Sequence, residues 1–277
     1  MSLIQVATQL DYKLESAATF IFSIMPALNA YQTLQQENLI LNPYVPYETF
    51  NYGPEGGRSI RVTAQPGLFS IDYAASFALQ VNTSDPSQVA ETPYAQLPAE
   101  VLPYLNPSRY CEADRIGRFA YKTFEGIPTG YTRVAAVVDW VYENIEYVPG
   151  TTNASSGASE VLLQRAGVCR DFAHLSISLC RALGIPARYV SAYAPGLEPP
   201  ADFHGVFEAY LDGKWYFFDA TRMAPTSSFV RISTARDAAD ASFATIVGKA
   251  TMTRMQIEAT NITPLSSPSE SLAITTS

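Results

Sequence analysis

Only two histidines, His174 and His204, and three cysteines, Cys111, Cys169 and Cys180, occur among the 277 residues. Two histidines exclude a histidine-rich metal site, and any histidine acting as a general base is one of the two. Three sparse cysteines do not make a disulfide framework; they fit a reducing compartment where thiols persist. Charge is also scarce, at 16% of residues with a net charge of -8. No Lys/Arg cluster is present to neutralise phosphates, so nucleic acid is not expected as a partner. No run of 18 apolar residues occurs, so neither a membrane-spanning helix nor a membrane partner is expected. Met1 to Tyr12 lacks a basic stretch followed by an apolar run, which argues against a signal peptide and for the cytoplasm. What the chain does have is apolar residues, 47% of the total, enough to bury a substantial core.

The first third reads as β structure. Leu3–Thr8, Thr19–Met25, Leu39–Leu41, Arg58–Ala64 and Phe69–Val81 are short apolar or alternating runs, separated by turns such as Tyr52–Gly57. That pattern predicts an antiparallel sandwich. Prolines 86, 93, 98, 103 and 107 mark a surface linker with short helical pieces. Residues 1–85 are therefore expected to form an N-terminal β-sandwich domain, 86–108 a linker, 109–258 a second domain, and the Ser/Thr/Pro-rich residues 259–277 a disordered tail. In the second domain, helical spacing predicts helices over Val134–Tyr142, over Ala158–Gln164 (capped by Ser155 or Ser156) and over Cys169–Leu183, the last stopped by Gly184 and Pro186. Strands are predicted over Ala187–Tyr193, Gly205–Leu211 and Lys214–Ala220.

Cys169 stands where a loop containing Gly167 enters a helix. Unpaired amides and the helix dipole favour a thiolate there. With a histidine nearby, a thiol pKa falls from about 8.5 to roughly 3.5–7.5. Cys180 lies about 16 Å further along the same helix, on the face of Phe172, Leu175, Leu179 and Leu183, and reads as a core thiol. Cys111 has no helix start beside it and likewise reads as an ordinary core or surface thiol. His174, five residues after Cys169, projects about 140° away around the helix, opposite the apolar stripe, and reads as structural. His204 opens a hairpin whose turn is Asp212-Gly213. In that register Leu211 faces Lys214 and Val206 faces Asp219. His204 and Asp219 are then diagonal neighbours on one face, about 7–8 Å apart at the backbone; a one-residue slip would separate them. Cys169, His204 and Asp219 thus form a candidate nucleophile, base and orienting acid. Glu208, on the same face, is less aptly placed.

The stretches Gly167–Leu175 and Cys180–Val190 resemble the transglutaminase-like superfamily, specifically its bacterial cysteine-protease-like branch. His204 before the Asp-Gly hairpin and Phe218–Arg222 match that family's histidine and aspartate motifs. Arg236–Asp240 and Gly248 resemble the segment that closes the domain, and Gln32–Ile71 resembles the branch's β-rich N-terminal region. Most of residues 10–250 are covered. The resemblance implies an α+β fold: an N-terminal antiparallel β-sandwich followed by a papain-like, transglutaminase-like core of helices packed on an antiparallel sheet. It implies Cys169, His204 and Asp219 as catalytic triad and His174 as a non-catalytic helix residue. The loop at Thr234-Ala235 departs from the glycine frequent in the family. Tyr147 and Trp140 are candidates for a second oxyanion donor. Three functions follow: a thiol hydrolase of peptide or protein amides working through a thioester, a protein-glutamine γ-glutamyltransferase, or a non-catalytic peptide-binding module. No cofactor or metal is called for, and no acidic loop has calcium-ligand spacing.

Overall fold

The computed structural model describes residues 2–197, 202–263 and 272–275. The fold is α+β, an antiparallel β-sandwich joined to a core of helices on an antiparallel sheet. One sandwich sheet has the strand order Ala250–Asn261, Ser2–Leu14, Gly67–Leu79, Gln32–Asn42; the other has Ala244–Val247, Ala18–Phe22, Arg58–Ala64, Tyr47–Asn51. In Ser2–Leu14 alternate residues Ile4, Val6, Leu10, Tyr12 and Leu14 are buried, the period-two pattern of a half-buried strand. Between the sheets the rings of Tyr12, Phe20, Phe22 and Phe69 stack at centroid distances of 5.0–5.9 Å.

Two expectations are corrected here. Residues 244–258, placed with the second domain, supply most of an outer strand to each sandwich sheet. Ser2–Leu14 has backbone groups to pair on both sides: Gly67–Leu79 takes one side and Ala250–Asn261 the other. The tail is not wholly unstructured, because residues 259–261 end that outer strand and Ala273–Thr275 pairs with both Lys214–Phe218 and Asn82–Ser84. Residues 264–271 and 276–277 of the expected tail lie outside the described residues.

The second sheet system has six antiparallel strands in the order Val230–Ala235, Ala187–Tyr193, His204–Leu211, Lys214–Phe218, Ala273–Thr275, Asn82–Ser84. Its two faces are both covered. Ala187, Tyr189, Phe207, Ala209, Leu211 and Phe218 pack with the helices, while Val190, Ala192, Val206, Phe217, Val230 and Ile232 pack with the sandwich. Ala187–Tyr193 and His204–Leu211 are accordingly buried along their whole length. Four helices lie on the first face: α1 (Ala113–Thr123), α2 (Tyr131–Asn144), α3 (Ala158–Gln164) and α4 (Cys169–Ala182). Helix α1 was not anticipated. Helix α3 has Gly157 at its cap position instead of Ser155 or Ser156, and the Glu112 carboxylate accepts the Ser159 amide there at 2.9 Å. A negative group at that end suits the helix dipole.

The sandwich and the central sheet are joined by polar contacts as well as apolar ones. The edge strand Val230–Ala235 is met by Gln32, whose side chain accepts the Arg231 amide at 2.8 Å and donates to the Arg231 carbonyl at 2.8 Å. Below the sheet, Glu208 bonds Arg188 at 2.6 Å and Arg231 at 2.5 Å, all three side chains being buried. Arg188 also reaches Glu55 of the sandwich at 2.9 Å. Glu208 is thus committed to arginines and not to His204.

Candidate active site

The first turn of α4 is fixed before any reacting group is considered. Asp171, fully buried, accepts the Val168 amide at 2.9 Å and the Thr152 hydroxyl at 2.5 Å, and pairs with Arg170 at 2.9 Å. One carboxylate therefore anchors the helix start and the loop that crosses it. Cys169 is the first residue of the helix and half-buried, with Sγ 4.0 Å from the Phe203 carbonyl.

The hairpin has the expected register: Leu211 faces Lys214 and Phe207 faces Phe218. Asp212 and Gly213 adopt φ of 47° and 75°, the left-handed pair of a type I′ turn. One step further along the ladder, His204 Nε2 and Asp219 Oδ2 are 2.8 Å apart, both side chains buried. The other Asp219 oxygen accepts the Thr221 amide at 2.9 Å and the Thr221 hydroxyl at 2.7 Å, so the carboxylate cannot rotate freely. Since Nε2 is taken by Asp219, Nδ1 is the ring nitrogen left for Cys169. Burial works to lower the His204 pKa, but the Asp219 charge and hydrogen bond, together with Cys169, outweigh it and raise the pKa to about 10. Burial pushes the Asp219 pKa up, and His204 and Thr221 more than reverse that, leaving it below the usual carboxylate value.

Tyr147 also lies at the sulfur. It lies in the two-stranded parallel pair Glu146–Tyr147 with Ala166–Gly167, and its ring lies against Phe172 at 5.9 Å. Its phenol oxygen accepts the Cys169 amide and also contacts the thiol; burial first, then the sulfur, raise its pKa to about 12. Trp140 instead packs on Phe119 and under Arg165.

His174 does not approach the pair. The sequence places it opposite the apolar stripe, yet it is buried, because α4 is covered on nearly every side. Its ring stacks on Tyr110 at 5.0 Å, and Nε2 accepts the Ala238 amide at 3.1 Å. Burial, outweighing Asp237, lowers its pKa to about 3, which keeps it neutral. Cys111 and Cys180 are fully buried. Burial raises the Cys111 pKa to about 12 and pushes Cys180 higher still. Among the described residues no cluster of three or more His, Cys, Asp or Glu side chains could hold a metal ion.

Two contributors were not read from the sequence. Thr221 carries a visible signal, the Asp-x-Thr spacing that lets a hydroxyl and an amide return to the carboxylate. Gly205 carries none. A Cβ there would lie 2.6 Å from the Tyr189 hydroxyl and 3.1 and 3.2 Å from the Arg170 Cα and amide nitrogen. Its missing side chain lets the first turn of α4 settle on the strand that bears His204. Gly205→Ala is expected to lower the rate of thiol labelling and of any turnover by about 10–100-fold without unfolding the chain, since a shift near 1 Å at reacting atoms costs about that much. Wild-type rates in a folded Gly205→Ala protein would refute the close-approach argument.

Two family models match: residues 117–220 fit the transglutaminase-like superfamily, and residues 2–100 fit the bacterial transglutaminase N-terminal domain. The crystal structure of "a Putative Cysteine Protease" from Cytophaga hutchinsonii is 39% identical, covers 99% of this chain and 97% of its own, and superposes with a TM-score of 0.94. The chain belongs to the transglutaminase-like superfamily. Among curated relatives, an uncharacterised protein of Mycobacterium leprae is 33% identical over 117 residues, 39% of this chain and 41% of that protein. One of Mycobacterium tuberculosis is 48% identical over 60 residues, 22% of this chain and 19% of that protein. The matches thus span less than half the length of these relatives. Within the transglutaminase-like match, 117–220, lie Cys169, His204 and Asp219, and the superfamily's core is that of a cysteine-based enzyme.

Proposed function

We propose that the chain is a cysteine-nucleophile amide hydrolase of peptide or protein substrates, with Cys169 as nucleophile, His204 as acid and base, and Asp219 as the group that orients His204. The observation that carries this is the buried 2.8 Å contact of His204 Nε2 with Asp219, made beside a thiol at a helix start. The cysteine protease description of the Cytophaga hutchinsonii protein supports it.

In this reading the Cys169 thiolate attacks the amide carbonyl carbon and a C–S bond forms. The oxyanion that develops takes a hydrogen bond from the Tyr147 hydroxyl, whose oxygen the Cys169 amide holds in place, a donor worth about 3–4 kcal/mol in acyl transfer. Protonated His204 gives its Nδ1 proton to the leaving nitrogen, the C–N bond breaks, and a thioester remains. Neutral His204 then takes a proton from water, whose oxygen displaces the sulfur and releases a carboxylic acid. The cleft of about 410 Å³ in which Cys169 lies is walled by Tyr189, Ser191, Phe203 and Phe243, and these side chains would limit the water that competes with substrate.

Acid-quenched mass spectrometry during turnover of a peptide amide tests the proposal. The expected result is an acyl adduct on the peptide containing Cys169, absent in Cys169→Ala, with one acid and one amine released per turnover. Equal turnover by wild type and folded Cys169→Ala would sink it. Release of ammonia with the acyl group passed to an added amine would assign the same thioester to γ-glutamyl transfer.

A further inference from the structure

A second cleft, sharing no wall residue with the first, has as one wall Tyr147, which contacts the same sulfur. It encloses about 440 Å³ and is lined by Tyr142, Ile145, Tyr147, Phe172, Thr221 and Met223. Three of these are large apolar or aromatic side chains left partly open to solvent: Tyr142 at 46%, Tyr147 at 40% and Met223 at 38%. Ile145 and Phe172 are buried beneath them. Among the described residues no charged side chain lines the cleft. The Thr221 hydroxyl is already used, donating to Asp219 and accepting the Met223 amide at 3.3 Å. Apolar side chains converging in an open hollow cost free energy in water, and such a patch marks a binding site more often than a neutral surface.

The hollow is tied to the reacting groups at three points. Tyr147, one wall, contacts the Cys169 thiol and accepts its amide. Phe172, part of the floor, is three residues after Cys169 on α4, the spacing that makes neighbours along a helix face. Thr221, on the far wall, holds Asp219. The wall beyond Thr221 is braced: Arg222, in a left-handed conformation with φ of 56°, lies over the Tyr142 ring at 4.2 Å and pairs with Asp139 of α2.

Building on the hydrolase reading, we infer that this cleft is a specificity pocket for a large apolar side chain, aromatic or long aliphatic, on the substrate residue that flanks the attacked amide. The substrate class is then a peptide with Phe, Tyr, Leu or Met next to the bond that Cys169 opens. Among the described residues the lining offers no charged partner, so a charged side chain would be desolvated without compensation.

Internally quenched peptides test this, with the residue on each side of the bond varied in turn among Phe, Leu, Met, Ser, Asp and Lys. The expected result is a kcat/KM for Phe, Leu or Met about 10–200-fold above that for Ser or Asp at one of the two positions, the range available to an apolar pocket. Met223→Glu is expected to remove at least tenfold of that preference, mainly through KM. Tyr142→Ala is expected to do the same and serves if Met223→Glu does not fold, folding being checked by thermal unfolding. Cleavage that depends on Cys169 but shows no preference at either position, or a preference that survives both substitutions, would overturn the pocket alone. Cleavage of no peptide, with no difference between wild type and Cys169→Ala, would overturn the hydrolase reading and the pocket with it.

Discussion

Asp219→Asn is expected to lower kcat about a thousandfold to ten-thousandfold while the chain stays folded. The reason is a tautomer. Thr221 gives two hydrogen bonds to one Asp219 oxygen, so an asparagine would keep its carbonyl there and turn its NH2 toward His204 Nε2. That nitrogen would then have to accept, which moves the ring proton to Nδ1. A ring protonated at Nδ1 cannot take the thiol proton, and the loss is of the size seen when a triad histidine is held in the wrong tautomer. The pH profile is expected to move as well. With His204 raised to about 10 by Asp219 and Cys169 against burial, the wild-type alkaline limb should lie near that pH. Without the carboxylate it should fall toward the ordinary histidine value of about 6.5. Stability has the same sign. A histidine whose pKa is raised on folding contributes fully below about pH 6.5 and loses that contribution as pH rises through about 10. Kinetics and thermal unfolding across pH 5–11 check both; matching profiles for wild type and Asp219→Asn would count against the pair.

Glu208→Gln is expected to cost about 3–5 kcal/mol of stability, because it leaves buried guanidinium charge without its carboxylate. For a chain of this size that is a fall of roughly 6–20 °C in Tm. Glu208 accepts from both Arg188 and Arg231 in the buried layer between the sheet and the sandwich. Burial would raise its pKa, and the two arginines overcome that and hold it at about 2. A carboxylate lowered on folding stabilises above its unfolded value, about 4.3, and that contribution is lost as pH falls toward 2. The Tm gap between wild type and Glu208→Gln should therefore be widest near neutrality and close between about pH 4 and 2. Differential scanning calorimetry measures both; a difference under about 1 kcal/mol would show the arginines to be satisfied by other partners.

How much of this was legible depended on the range of the interaction. The His204–Asp219 pairing follows from a two-residue turn and strict alternation, both local, and Phe207 facing Phe218 is the register that reading requires. The helix beginning at Cys169 is marked by Gly167 before it and Gly184 after it. The outer strand Ala250–Asn261 was missed because most of its side chains face solvent; its place is set by unpaired backbone on Ser2–Leu14, more than two hundred residues away. Helix α1 has Gly117 in its middle, which weakens a helical reading. The burial of His174 could not be read from one helix, since its second face is apolar only because Tyr110 and the 237–240 turn close over it. The two clefts are lined by loop and helix residues that only tertiary packing brings together.

The outer strand Ala250–Asn261 has a consequence for proteolytic control. Because it comes after the strands from Ala187 to Ala235 and returns to pair with Ser2–Leu14, the segment that carries Cys169, His204 and Asp219 lies in the chain between two neighbouring strands of one β layer. A single nick in residues 86–108 would leave both fragments clasped along that ladder. Releasing the sandwich strands of residues 2–79 would demand a second cut beyond Ala235.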